Sequence, residues 1–131
     1  MTATPAHLVE LSSPWAFEPT VARIRQAIQD AGLLLIAQID HAAGAEAAGL
    51  TLPPMLVIVY GHPKGGTPVM QVAPAAGLDL PLRVLVRETS QGQAIVAFHP
   101  IVEMLGQLGV APEVARPLEA AQNLIRQALL G

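Results

Sequence analysis

Apolar positions along this chain change their spacing several times, and each change marks an element. His7 to Leu11 suits a short edge strand, and Ser12-Ser13-Pro14 then breaks the pattern. Val21, Ile24, Ile28 and Ala31 follow at three- and four-residue steps, the period that gathers side chains on one face of a helix. Pro19 suits the first turn of that helix, where an N–H would be unpaired anyway, and Gly32 suits a left-handed stop. Leu33 to Asp40 and Met55 to Tyr60 are apolar at both alternating positions, which predicts central strands covered on each side by helices or by a second subunit. Between them Ala42 to Ala48 has the length of one or two helical turns. Leu82 to Arg87 alternates, with Leu82, Val84 and Val86 on one face and Arg83 and Arg87 on the other, so this strand is half exposed. Ser90-Gln91-Gly92 reads as a turn, and Ala94 to Phe98 returns antiparallel to it.

The C-terminal third reads as helical. Pro100 opens a helix over Ile101 to Leu108, and Pro117 begins a last one with Leu118, Ala121, Ile125 and Ala128 on a common stripe. A further helix starts at Thr67-Pro68, giving the order β, α, β, short α, β, α, β, β, α, α. Strand pairs mixed with helices predict an α+β fold, two-layer, with a mostly antiparallel sheet packed with helices. All 131 residues form one domain in this reading, with a core over about 7–100 and helices over about 101–130. No internal repeat interrupts it.

Composition narrows the function. Hydrophobic residues make up 52% of the chain and charged ones 13%, against about 25% charged in ordinary soluble domains, so some apolar surface is expected at a subunit contact. A net charge of −3 with seven scattered Lys and Arg argues against the basic stripe that nucleic acid requires. Without cysteine there is no disulfide, thiolate nucleophile or cysteine-bound metal. Met1 to His7 lacks the cationic start and apolar core of a secretory signal, and no apolar run approaches the roughly 20 residues of a membrane span. The expectation is a soluble, cytoplasmic protein with no nucleic-acid or membrane partner.

The richest segment is Tyr60-Gly61-His62-Pro63-Lys64-Gly65-Gly66-Thr67-Pro68-Val69-Met70, where a buried apolar run gives way to a glycine-rich, cationic stretch feeding a helix. Gly65 and Gly66 permit close approach of backbone to a ligand, the helix start attracts anions, and Lys64 adds a point charge. The spacing is not that of a Walker loop. The plainer reading is a tight turn in which Thr67 caps its own helix. Asp79, in Leu78-Asp79-Leu80-Pro81-Leu82, is an acid among apolar residues. It either ties down a turn by accepting local N–H bonds or serves as a base partnered by His41 or His62. His41, His62 and His99 each follow a strand, so they would meet if they share one end of the sheet. No pair has the helical spacing of zinc ligands, and His99 suits a helix cap. His7 reads as solvated, and Met55 and Met70 as core fillers. No metal or cofactor is called for.

Asp40-His41, Gly49-Leu50, the segment from Tyr60 to Met70 and Ala76-Gly77-Leu78-Asp79-Leu80-Pro81-Leu82 together resemble the domain-of-unknown-function family 302, from about Phe17 to Pro100. The resemblance implies a small α+β domain with an antiparallel sheet, acting as a homodimer, in a family of unestablished biochemical role. Two departures stand out. The family's usual Phe-Gly-Asn-Pro reads Tyr60-Gly61-His62-Pro63 here, and its Asn near His99 is replaced. The leading functional reading is a homodimeric, non-enzymatic domain that binds a small polar or anionic ligand beside Gly61, His62, Lys64, Gly65, Gly66, Thr67, Asp79 and His41. The alternatives are an enzyme using Asp79 with His41 or His62 for proton transfer, and a pure interaction module.

Overall fold

A computed structural model describes residues 7–130, so the reading of Met1 to Ala6 lies outside the described residues. Five antiparallel strands form one sheet in the order β1-β5-β4-β3-β2, with β1 Val9–Ser12, β2 Leu34–Asp40, β3 Met55–Gly61, β4 Leu82–Glu88 and β5 Ala94–Phe98. The helices are α1 Phe17–Asp30, α2 His41–Ala47, α3 Pro63–Val72, α4 Ile101–Gly106 and α5 Pro112–Ala128, with a 3₁₀ turn over Pro74–Leu78. This is the expected α+β architecture.

The core lies between one face of the sheet and the helices. Alternation sends Leu56, Ile58 and Tyr60 of β3, Leu82, Val84 and Val86 of β4, and Val96 and Phe98 of β5 inward. Phe17, Val21, Ile24 and Ile28 of α1 and Leu118, Ala121 and Ile125 of α5 meet them. Each such aliphatic side chain contributes about 1.5–3 kcal/mol by leaving water. The C-terminal helices therefore share the core of the sheet.

Local chemistry sets the boundaries of α1. Its N-cap, Ala16, has no side chain able to cap, so the neighbouring hydroxyls do the work. Ser13 Oγ accepts from the Trp15 N–H at 3.1 Å and donates to Thr20 Oγ1 at 2.6 Å, and Thr20 in turn donates to the Ala16 carbonyl at 2.8 Å. Ser13 and Thr20 are both buried, which is tolerable because each is satisfied. Trp15 lies under the Arg23 guanidinium at 3.7 Å. At the other end Gly32 takes φ +74, as the stop requires, and Ala31 is exposed beyond the helix.

Three expectations are corrected. β2 is an edge strand, not a central one, and Leu34, Ile36 and Ile39 on it are 50%, 51% and 47% exposed. Leu35 of β2 packs against the core, whereas the apolar residues of its other face have no cover within the single chain. The third helix starts at Pro63, so Thr67 lies inside it and caps nothing. The last helix starts at Pro112 rather than Pro117.

Candidate functional site

The segment after β3 is helical almost from its first residue. His62 is extended, and its Nδ1 accepts the Lys64 N–H at 3.1 Å, so His62 caps α3 and Pro63 occupies the first helical position. The glycine-rich stretch is thus a helix turn, and its glycines answer to packing. A Cβ on Gly65 would meet Leu118 Cδ2 at 3.3 Å and Pro117 Cβ at 3.8 Å, and one on Gly66 would meet Leu80 Cδ1 at 3.6 Å. Gly61, His62, Lys64 and Gly65 border a cavity of about 330 Å³ against Leu118. Gly61, His62, Gly66 and Thr67 border a second, of about 350 Å³, walled by Ile36, Met70 and Leu80. Neither contains His41 or Asp79.

Those two residues line a different groove, of about 360 Å³, on the face of the sheet that the helices leave open. Its floor is a row in register across four strands, in which Ile39 pairs with Val57, Val57 with Leu85, and Leu85 with Ala97. A two-residue step along a strand returns to the same face. Arg83 precedes Leu85 by two residues and His99 follows Ala97 by two, so continuing the antiparallel register past its last pair points both to one end of the row, and both line the groove. Asp79 adjoins this end from the turn before β4. His41, two residues past Ile39, stands at the opposite end. The groove continues round the end of the sheet to Leu82, Ile101 and Gln122.

Hydrogen bonds fix one side of this rim. His99 Nδ1 donates to the His7 carbonyl at 2.8 Å, and His7 Nδ1 lies 2.6 Å from Glu103 Oε2, so His7 is tied to α4 rather than merely solvated. His99 does not cap α4. That role falls to the buried Gln122 of α5, whose Oε1 accepts the Ile101 N–H at 2.9 Å while its Nε2 donates to the His99 carbonyl at 2.8 Å. Among the described residues Arg83 forms no ion pair, and the Asp79 carboxylate has neither an ion pair nor a protein hydrogen bond. The turn at Asp79 is closed by its backbone N–H on the Ala76 carbonyl at 2.9 Å, so the side chain does not tie it. By contrast Arg87, on the same strand, is 3.5 Å from Glu10.

The three histidines therefore do not converge. His62 lies on α3 against other cavities, and His41 and His99 share a groove from opposite ends. Among the described residues no three His, Asp or Glu side chains are grouped to hold a metal ion. Met70 is 36% exposed and borders the α3 cavity instead of filling the core. Arg83 and Gln122 are the groove residues that pattern alone does not single out.

Comparison with known proteins adds the family. A model described as the domain of unknown function DUF302 matches residues 9–129. The chain belongs to that family. The match carries the DUF302 assignment beyond Phe17 to Pro100 and through both C-terminal helices. In fold, the chain is similar to the crystal structure of an uncharacterized conserved DUF302 protein from Bacillus stearothermophilus, with a TM-score of 0.81 over 95% of this chain and 97% of that one at 16% identity. In sequence, it is 38% identical over 86 residues to proteins named fluoride-specific ion channel FluC 1 from Brucella suis biovar 1 and Brucella abortus biovar 1. Those residues are 66% of this chain but 34% and 32% of the Brucella proteins, so the match spans about a third of their length. Among the described residues of this DUF302 chain no helix is long and apolar enough to cross a membrane.

Proposed function

We propose that this DUF302 chain is a small, homodimeric, non-enzymatic binding domain that takes a polar or anionic small molecule in the groove on the open face of the sheet. The observation that carries this reading is Arg83, a guanidinium with no ionic partner among the described residues, lining the same groove as His99 at the edge of an apolar floor. A planar fork of donors without a carboxylate favours an anionic oxygen group. The groove replaces the surroundings of Gly61 to Thr67 as the preferred site, because there the glycines are occupied with α5 and His62 with its own helix.

Acid–base chemistry fits less well. His62 Nδ1 is committed to the Lys64 N–H, and Asp79 and His41 share the groove without a hydrogen bond between them. A proton-transfer pair needs about 2.6–3.2 Å or one bridging water. The Brucella relatives favour a more particular form of the anion reading, in which the domain serves an ion channel and fluoride is the anion.

Calorimetric titration with sodium fluoride, acetate and inorganic phosphate tests the reading. At least one should bind, more weakly as salt rises, and Arg83→Ala should reduce its affinity by about tenfold or more. Binding that survives Arg83→Ala unchanged would remove Arg83 from the site.

A further inference from the structure

We infer that the ligand of this groove is a zwitterion with an apolar body, of the class of the aliphatic and aromatic α-amino acids. The inference rests on the binding reading above and adds the identity of the ligand class. Three features of one end of the groove point to it together. Arg83 and Asp79 carry opposite charges and line the same groove, yet among the described residues neither forms an ion pair, with the other or elsewhere. Asp79 is half-buried, and its carboxylate has no protein hydrogen bond among the described residues. A simple anion would satisfy Arg83 and leave Asp79 repelling it. A molecule that holds a carboxylate and an ammonium on adjacent atoms satisfies both.

His99 supplies the second feature. The His7 carbonyl can only accept, so the hydrogen bond at 2.8 Å puts the ring proton on Nδ1. In the neutral ring this leaves Nε2 as an acceptor with no partner among the described residues. An ammonium group has three hydrogens to place, and Asp79 with His99 Nε2 offers acceptors for them, while Arg83 offers donors for a carboxylate.

The floor is the third feature. Leu85, Val57, Ile39 and Ala97 run as an apolar row away from the charged end, and Ile39 is exposed. A branched or aromatic side chain laid along that row would bury surface on both partners at about 25 cal/mol per Å². The 360 Å³ of the groove is within the range of small-ligand sites, about 300–1,000 Å³.

The test is calorimetry of the full chain with four probes: L-leucine, 4-methylpentanoate (the same body without the amine), 3-methylbutylamine (without the carboxylate) and glycine (without the body). L-leucine should bind about tenfold or more tighter than each of the other three. Asp79→Asn should bring L-leucine down to the level of 4-methylpentanoate, and Arg83→Gln down to that of the amine, with circular dichroism confirming that both variants are folded. Equal binding of L-leucine and 4-methylpentanoate by the unaltered chain would overturn the zwitterion and leave the anion reading standing. Failure of all four probes, together with fluoride, acetate and phosphate, would overturn both. An Asp79→Asn variant that keeps the full preference for L-leucine would overturn the assignment of Asp79.

Discussion

Tyr60 and Gln122 are polar side chains inside an apolar core, and each is held there by a backbone partner on another element. The Tyr60 hydroxyl donates to the Ala121 carbonyl at 3.3 Å, and burial pushes its phenol well above the ordinary value of 10.0. The folded chain therefore keeps a proton that the unfolded chain releases. The resulting stability is fully present below the unfolded pKa and is lost as pH rises above it. Tyr60 is the single tyrosine, so phenolate absorbance reports on it alone. It should appear well above pH 10 in native protein and near pH 10 in denaturant. Native titration at the ordinary value would contradict its burial. Sequence pattern places Tyr60 in a buried strand but passes over Gln122, because an amide on a helix looks the same whether it faces water or the Ile101 N–H. Arg83 is legible as the polar side of an alternating strand. Its place in the same groove as His99 emerges only when the register of β4 against β5 is known.

At the scale of elements, one error occurs twice for one reason. A proline suits the first position of a helix, and both α3 and α5 carry two, Pro63 with Pro68 and Pro112 with Pro117. Pattern selects the second proline each time, beside Thr67 in one case and at the head of the apolar stripe in the other. The structure starts each helix at the first. The later proline sits at the sixth position, where it deprives only the carbonyl of Lys64 or Glu113 of an intrahelical donor, and both residues are exposed to water. Gly65 shows what this early start makes possible, since it faces Leu118 and Pro117 where α3 meets α5. Gly44 of α2 is the control, with nothing within 4 Å of a Cβ. Gly44→Ala should stabilise by up to about 1 kcal/mol through helix propensity alone. Gly65→Ala carries the same gain but presses on the buried Leu118 at 3.3 Å, so it should be at least about 1 kcal/mol less favourable than Gly44→Ala. Denaturant midpoints compare the two, and equal shifts would show that the helix contact yields freely.

For the whole molecule, the strands and their sequence order are legible from periodicity, whereas their order across the sheet is not. Residues apolar on both faces say that a strand is covered, not by what. β3 meets that demand only on the face under the helices, because Val57 on its other face lies in the floor of the open groove. β2 does not meet it, and its Leu34 and Ile36 stay open to solvent in the single chain, outside the groove to which Ile39 belongs. A second copy supplies the missing cover in the homodimer proposed above. A stable contact takes about 800 Å² from each partner, roughly a tenth of the 7483 Å² exposed by the chain. Seven residues of β2 do not supply that alone, so the contact must draw in neighbouring apolar surface such as Leu50 and Leu52 in the segment joining α2 to β3. Sedimentation velocity at micromolar concentration should then show a dimer. Leu34→Glu combined with Ile36→Glu should convert it to a monomer with unchanged circular dichroism, because both positions are already half exposed within one chain. A wild-type monomer would end the dimer, and a dimer indifferent to the double substitution would move the contact away from β2 to another face.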